Sequence, residues 1–152
     1  MKNIRILRVM ISILSIIFAA ESFSQRGMGQ RGSNGWGPKS NFNRMYNAAT
    51  VETIKGEVVS VDKTAPMKGM SYGIHLMLKT NKETVSVHLG PAWYFDKHNF
   101  LIKAKDKIEI KGSRITFDEK PAVIAAEVKK GSEVIKLRDE NGYPVWSGGR
   151  RK

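Results

Sequence analysis

Two histidines and a methionine are the residues of this chain whose types and spacing could do chemistry together. His75, Met77 and His88 lie in the stretch Tyr72–Phe95, in which apolar and polar residues alternate. Directly opposed residues of an antiparallel pair have Cβ atoms about 4.5–5.5 Å apart, so two facing imidazoles could bind one ion. A thioether two residues along the same strand adds a soft ligand and favours copper. These three residues are therefore a candidate weak Cu or Zn site.

A structural role for both histidines is the alternative. Two imidazoles fall short of the three or four protein ligands of a typical zinc site, and no carboxylate is fixed beside them by the sequence. Surface-facing or hydrogen-bonded imidazoles need no ion. We therefore expect no cofactor, with weak copper or zinc binding as the competing hypothesis.

A tight turn decides which side chains of this stretch face each other. Strand-like alternation runs on both sides of Asn81 and Lys82. With these two residues at the centre of the turn, the apolar side chains fall on one face, whereas a slip of one residue would expose half of them. A longer loop is the alternative, since Asn-Lys is a weaker turn signal than Asn-Gly. The predicted facing pairs are Leu78 with Val85, Leu76 with Val87, Ile74 with Leu89 and His75 with His88.

The remaining alternation predicts more strands around one short helix. Pro91 opens a helical stretch, because proline is tolerated in the first turn of a helix. Gly56 lies inside the first strand, where glycine often marks a bend that lets one strand serve two sheets. Besides the hairpin, the predicted strands are 51–62, 107–116, 122–128 and 134–137.

This order of elements is that of the OB architecture, a five-stranded Greek-key barrel. We predict an all-β fold with one short helix: a small OB-like Greek-key β-barrel of about five to six strands, with the helix between strands 3 and 4. Leu76, Val87 and Ile110 should lie in its core. A small SH3-like or split barrel is the alternative.

Three large aromatic residues form a second candidate site. Trp93, Tyr94 and Trp146 stand near the ends of predicted elements. OB folds use aromatic side chains on the strand face to stack on bases or sugars, so these residues are candidates for ligand binding. In the alternative, Trp93 and Trp146 plug the ends of the barrel and complete its core.

The chain divides into four predicted segments. Lys2, Arg5 and Arg8 precede the apolar run Val9–Ala20 and then small residues, which is the layout of a secretory signal peptide. The run is short for a membrane span, so an uncleaved anchor is the weaker alternative. The next residues are rich in Gly, Arg, Ser and Asn and predict a flexible segment. The segments are a signal peptide (1–24), a Gly/Arg-rich linker (25–45), the barrel domain (46–147) and a basic tail (148–152).

Charge and cysteine content restrict the partners and the chemistry. The chain has no cysteine, which excludes disulfides, a thiolate nucleophile and covalent c-type haem. Removal of residues 1–24 takes away three basic residues and one acidic residue, so the net charge falls from +12 to +10. In an exported protein this charge suggests an envelope protein or an anionic surface as partner. A solvated basic surface without a specific partner is the alternative.

Two motifs carry a family resemblance. The segments HLGPAWY (His88–Tyr94) and LRDENGYPVW (Leu137–Trp146) resemble the MamS/MamX-type domain of exported bacterial proteins, named after magnetosome proteins. The resemblance covers roughly Tyr46–Trp146 and implies a small periplasmic OB-like module. MamX-type relatives carry Cys-x-x-Cys-His haem motifs. Because this chain has no cysteine, their redox role does not carry over.

We therefore expect an exported, non-catalytic binding or accessory module of the bacterial envelope, monomeric and periplasmic or secreted. The sequence contains no serine-hydrolase elbow, zinc-protease motif or phosphate loop, so we predict no catalytic residues. A periplasmic metal-handling or redox-accessory protein that uses the histidine pair is the alternative function. A nucleic-acid-binding OB protein is the third, and the predicted export argues against it.

Processing of the N-terminus is directly testable. We expect the native protein to lack about the first 24 residues, because small residues precede Gln25 at the predicted cleavage position. Intact-mass analysis of protein purified from its own cells measures this loss. A full-length cytoplasmic product would contradict the predicted export and favour the nucleic-acid hypothesis.

Overall fold

The computed structural model describes residues 34–147, which form a barrel of strands with one α-helix. The predicted signal peptide, residues 25–33 of the predicted linker and the basic tail lie outside the described residues. Within the described part, no helix combines the length and the apolar character that a membrane crossing requires. The elements are β1 (Val51–Thr64), β2 (Gly73–Lys79), β3 (Thr84–Pro91), α1 (Ala92–His98), β4 (Lys107–Phe117), β5 (Lys120–Lys130) and β6 (Glu133–Lys136).

Strand pairing closes the barrel in the OB order. β1 pairs antiparallel with both β2 and β4, β2 pairs with β3, and β4 pairs with β5. A parallel pairing of β3 with β5 completes the ring, and β6 is added beside β5. α1 connects β3 to β4. The predicted OB-like Greek-key barrel, with its helix between strands 3 and 4, is therefore confirmed.

The long first strand is shared between two neighbours, as its interior glycine predicted. β1 pairs with β4 up to Glu57 and with β2 from Glu57 onward. A side chain at Gly56 would overlap the backbone of Lys79, so only glycine allows the end of β2 to approach this closely. A bulge follows between Val58 and Ser60 and increases the local twist.

The hairpin register is confirmed for three of its four predicted pairs. Asn81 and Lys82 are the central residues of the turn, since the Thr80 N–H donates to the Glu83 carbonyl over 2.8 Å. Leu76 faces Val87, Leu78 faces Val85 and His75 faces His88. The predicted facing of Ile74 and Leu89 is wrong, because Ile74 pairs with Gly90. Leu89 is the extra residue of a bulge, a device that bends a strand as a barrel closes.

The predicted core residues lie in the core. Leu76, Val87 and Ile110 are completely buried, and so is Leu89 despite the bulge. The inward faces of the five barrel strands supply most of this apolar cluster. The alternation of side chains along each strand thus decided the buried face.

The predicted flexible linker is wrong for residues 34–45. Residues 34–47, which we call the N-terminal strap, pack on the outside of the barrel. Trp36 and Phe42 are each 1% exposed and contact Ile124 of β5 in a second apolar cluster. Burial of two large aromatic side chains offsets the entropy lost on ordering the strap. The folded domain therefore includes residues that precede the predicted boundary at 46.

A buried arginine connects the strap to the closure of the barrel. The parallel ladder between β3 and β5 ends at His88 and Ile124. Next to this point, Arg138 Nη1 donates to Leu89 O over 2.9 Å and to Ala125 O over 2.5 Å, one carbonyl from each strand. Burial lowers the pKa of Arg138 to about 9, which leaves it charged at neutral pH. Arg138 thus joins β3 to β5 where their pairing stops.

The same guanidinium also contacts the N-terminal strap and Trp146, near the C-terminal end of the described residues. Its Nε donates to Asn43 Oδ1 in the strap over 3.2 Å, and Asn43 Nδ2 donates to Gly142 O over 3.1 Å. The guanidinium carbon lies 5.1 Å from the centre of the Trp146 ring, within cation–π range. Trp146 Nε1 in turn donates to Trp36 O over 2.8 Å.

We expect Arg138→Met to lower the free energy of unfolding by on the order of 3 kcal/mol. Methionine fills a similar volume but removes the donor from two buried carbonyls, each worth about 1–3 kcal/mol when left unpaired. The matched control is Arg114→Met, since Arg114 makes partly exposed ion pairs with Glu52 and Glu83. Its loss should cost about 1 kcal/mol or less. Urea unfolding of both variants measures the difference, and equal costs would contradict the structural role of Arg138.

Candidate functional site

The two predicted metal-ligating histidines stack on the outer face of the β2–β3 hairpin. The ring centroids of His75 and His88 are 4.4 Å apart, and the ring planes differ by 10°. His75 Nε2 and the Ser86 hydroxyl share a hydrogen bond. His88 Nε2 is buried and has no hydrogen-bond partner among residues 34–147. The predicted proximity of the two histidines is therefore confirmed, and one buried ring nitrogen, Nε2 of His88, is left unpaired.

Burial keeps both imidazoles neutral. The pKa of His88 is lowered from 6.5 to about 4, mainly by desolvation and to a smaller extent by the positive charges of His75 and Arg138. Desolvation also lowers the pKa of His75, although the carboxylate of Asp62 opposes this effect. At neutral pH each ring therefore has one nitrogen with a free lone pair, which can accept a hydrogen bond or bind a metal ion.

The histidines line a cleft of about 500 Å³ between the hairpin and the β4–β5 turn. We call this the histidine cleft. Asp118 and Glu119 form the turn with φ angles of 48° and 64°, which is the left-handed geometry of a tight hairpin connection. Met77 lines the same cleft, so the structure brings all three predicted metal residues together. The other residues that the site uses are Ser86, Phe117, Lys120 and Pro121.

Two phenylalanines cover His88. The ring centroid of Phe117 lies 4.9 Å from that of His88, and Phe42 of the strap lies 5.6 Å from it on another side. These contacts explain why His88 is 5% exposed whereas His75 is half-buried. The sequence analysis missed both residues. For Phe42 the sequence did contain a signal of burial, because a large aromatic side chain is unusual in a flexible Gly-rich segment.

The stacked rings cannot bind one ion without rearranging. A metal ion lies near the plane of each imidazole that binds it, and two nearly parallel planes do not meet at the ion. In residues 34–147, no three His, Asp or Glu side chains converge as a metal-binding group. Metal binding at His75, His88 and Met77 thus stays a prediction, and it requires one ring to turn.

The three predicted aromatic residues lie elsewhere, and none of them lines the histidine cleft. The Tyr94 hydroxyl donates to Lys136 O over 3.0 Å, and its ring is 5.4 Å from that of Trp146. Trp146 is half-buried beneath the strap, which fits the alternative in which it completes the core. Trp93 is 39% exposed on α1. A ligand-binding role for these residues stays a prediction.

A family model matches the part of the sequence that contains the residues lining the histidine cleft. The sequence model of the MamS/MamX magnetosome protein family matches residues 50–135, more than half of the chain. The chain belongs to this family. The matched region includes His75, Met77 and His88, whereas Arg138 lies just beyond it. A comparison of this MamS/MamX family member with curated proteins gives no match.

Three solved structures resemble the chain at low identity. A chain of the Stn1–Ten1 complex of S. pombe has 10% identity and a TM-score of 0.43, covering 64% of this chain and 79% of that chain. The second OB-fold domain of replication protein A from Methanococcus maripaludis has 18% identity and a TM-score of 0.40, with coverages of 55% and 86%. The N-terminal domain of PriB from Thermoanaerobacter tencongensis has 11% identity and a TM-score of 0.41, with coverages of 56% and 99%. The strand pairing, and not these weak likenesses, identifies the OB topology of this MamS/MamX family member.

Burial of neutral His88 makes the fold sensitive to acid. The pKa of His88 is lower in the folded chain than in the unfolded chain, so the unfolded chain binds the proton first as the pH falls below 6.5. The stability that depends on neutral His88 is present above pH 6.5 and should be lost towards pH 4, up to about 3 kcal/mol. Urea unfolding between pH 7 and pH 4 measures this loss.

The variant His88→Gln should have a flatter stability profile over this pH range than the wild type. The matched control is His98→Gln, because His98 is exposed on α1 and its substitution should leave the profile unchanged. The same slope in the wild type and in His88→Gln would contradict the role assigned to His88.

Proposed function

We propose that this protein is an exported, non-catalytic binding module of the bacterial envelope that holds a small ligand in the histidine cleft. The position of the cleft is the observation that carries the proposal. It lies on the outer face of β2 and β3 beside the β4–β5 turn, which is where OB folds bind their ligands. This step is an analogy at the level of the fold. Membership of the MamS/MamX family supports an accessory role.

The strap favours a small ligand over a nucleic-acid strand. OB folds that bind single strands use an open groove with aromatic side chains on which successive bases stack. Here Trp36 and Phe42 of the chain itself occupy part of that outer face, above Ile124. Phe117, the aromatic residue nearest the cleft, already packs against His88 and Phe42. A long polymer would have to displace the strap, whereas a small ligand would not.

The residues that line the cleft indicate the polarity of its ligand. Met77, Phe117 and Pro121 provide apolar surface, while His75, His88 and Ser86 are the polar residues of the hairpin face that line the cleft. The charges of the lining largely offset each other, since Glu83 is paired with Arg114 over 2.5 Å and Asp118 and Lys120 carry opposite charges. The ligand we propose therefore has an apolar body and a polar or electron-accepting group that reaches the histidines.

We further propose that the module acts as a monomer in the periplasm or outside the cell. The basic net charge of the chain supports an acidic envelope protein or an anionic surface as its partner. The predicted signal peptide supports the location.

The proposal predicts where ligands bind on the folded chain. We expect small aromatic and heteroaromatic fragments to shift the amide NMR signals of Ser86, His88 and Phe117. A single-stranded oligonucleotide should leave these signals in place at physiological salt, because the strap occupies part of the groove that a strand would need. The spectra are recorded on ¹⁵N-labelled protein.

A cleft-filling variant is the control for this experiment. Ser86→Phe should abolish the fragment-induced shifts, since Ser86 points into the cleft. Thr53→Phe places the same bulk on the exposed face of β1 and should leave the shifts unchanged. Fragment shifts that avoid the cleft, or oligonucleotide shifts along β2 and β3, would overturn the proposed function.

A further inference from the structure

We infer that the histidine cleft is a site for a single copper(I) ion, bound by His88, Met77 and a reoriented His75. The inference rests on the proposed role of the cleft as the binding site and adds a metal ion to the small organic ligand proposed there. Two imidazoles and one thioether line one cleft of about 500 Å³. Thioethers select soft ions such as copper(I), and imidazole also suits copper.

His88 provides one nitrogen ligand. Its Nε2 is buried, lacks a hydrogen-bond partner among the described residues and belongs to a side chain that lines the cleft. Buried polar atoms are nearly always paired, and an unpaired one lowers stability. Phe42 and Phe117 hold the ring from two sides. An ion that binds this nitrogen would satisfy it without moving the most constrained side chain of the cleft.

Met77 lies on the same face as the histidines. It is two residues from His75 on β2 and directly faces Ser86, and its side chain lines the cleft. Its side chain is half-buried and flexible, so the sulfur can adjust to an ion beside His88. Neither Zn²⁺ nor Mg²⁺ prefers a thioether, and this ligand therefore separates copper from the commoner divalent ions.

His75 is the ligand that must move. In the stacked arrangement its ring plane is nearly parallel to that of His88, and its Nε2 is hydrogen-bonded to Ser86. Rotation about the Cβ–Cγ bond would break the stack, release the Ser86 hydroxyl and turn a ring nitrogen towards the ion. Because His75 is only half-buried, the ring has room for this rotation.

The electrostatic surroundings favour a single positive charge. The cost of taking an ion out of water rises with the square of its charge. The positive charge of Arg138 lies next to His88, since its Nη1 donates to the carbonyl of the following residue, Leu89, over 2.9 Å. Two acidic residues line the cleft: Glu83 is already paired with Arg114, and the charge of Asp118 is offset by that of Lys120, which also lines the cleft. A monovalent soft ion therefore suits the cleft better than a divalent ion does.

Competition against a chromophoric copper(I) chelator, without oxygen, tests the inference on the full-length chain. We expect one copper(I) ion per chain, and much weaker binding of Zn²⁺ in titration calorimetry. Met77→Leu keeps the volume of the side chain and should weaken copper(I) binding at least about tenfold, since even indirect partners of metal ligands contribute this much. It should leave the weak Zn²⁺ binding unchanged. His88→Gln should reduce copper(I) binding as strongly.

Matched controls test whether other methionines and histidines of the chain bind copper(I). Met70→Leu changes a methionine that packs against the cluster formed by Trp36, Phe42 and Ile124, and His98→Gln changes an exposed histidine. Both should bind copper(I) as the wild type does. Copper(I) is diamagnetic, so NMR should also record a shift of the Met77 methyl signal and of both cleft imidazoles. Binding that survives in Met77→Leu and His88→Gln, or no binding to the wild type, overturns the inference.

The outcomes also separate this inference from the proposed function. If fragments shift the cleft signals while copper(I) does not bind, the copper inference fails and the proposed binding module stands. If neither fragments nor copper(I) affect the cleft, both fail. If copper(I) shifts the Met77 methyl signal and fragments compete with it for the same cleft, the result supports both the copper inference and the proposed binding module.

Discussion

The barrel of this protein depends on the buried guanidinium of Arg138. Parallel pairing between β3 and β5 closes an OB barrel, and here the ladder is short and ends at His88 and Ile124. Arg138 continues the connection with a side chain, donating to one carbonyl from each strand. Placing a charged group inside a protein is costly unless hydrogen bonds compensate it. The carbonyls, the amide of Asn43 and the face of the Trp146 ring provide part of that compensation, while Nη2 has no hydrogen-bond partner among residues 34–147.

This interaction also sets which outer surface remains free. Through Asn43, the strap is hydrogen-bonded to the residue that closes the barrel, and through Trp36 it is hydrogen-bonded to Trp146. The strap therefore lies over the part of the strand face next to the closure, around Ile124. The part of that face beside the β4–β5 turn stays open as the histidine cleft. Closure of the fold and exposure of the candidate site are thus consequences of the same contacts.

The positive charge of Arg138 links the closure of the barrel to the protonation state of His88 in the cleft. Arg138 and the burial under Phe42 and Phe117 together keep the His88 imidazole neutral, so that its nitrogen lone pair is available. The same features make protonation of His88 unfavourable in the folded state. A site that needs a neutral imidazole near a fixed positive charge accepts soft, weakly charged or neutral ligands more readily than divalent cations.

Short-range information in the sequence determined the strands, the Asn81–Lys82 turn and the facing of His75 and His88, because side-chain alternation and turn geometry act between residues close along the chain. Only the tertiary structure decided the bulge at Leu89, the packing of the strap and the burial of Arg138. Each depends on what lies opposite in space. Arginine is ordinarily a surface residue, and two aromatic residues in a Gly-rich segment become ordered only when a barrel surface is present to bury them. The sequence therefore placed the two histidines side by side, while distant parts of the chain decided that one of them would be buried, neutral and unpaired.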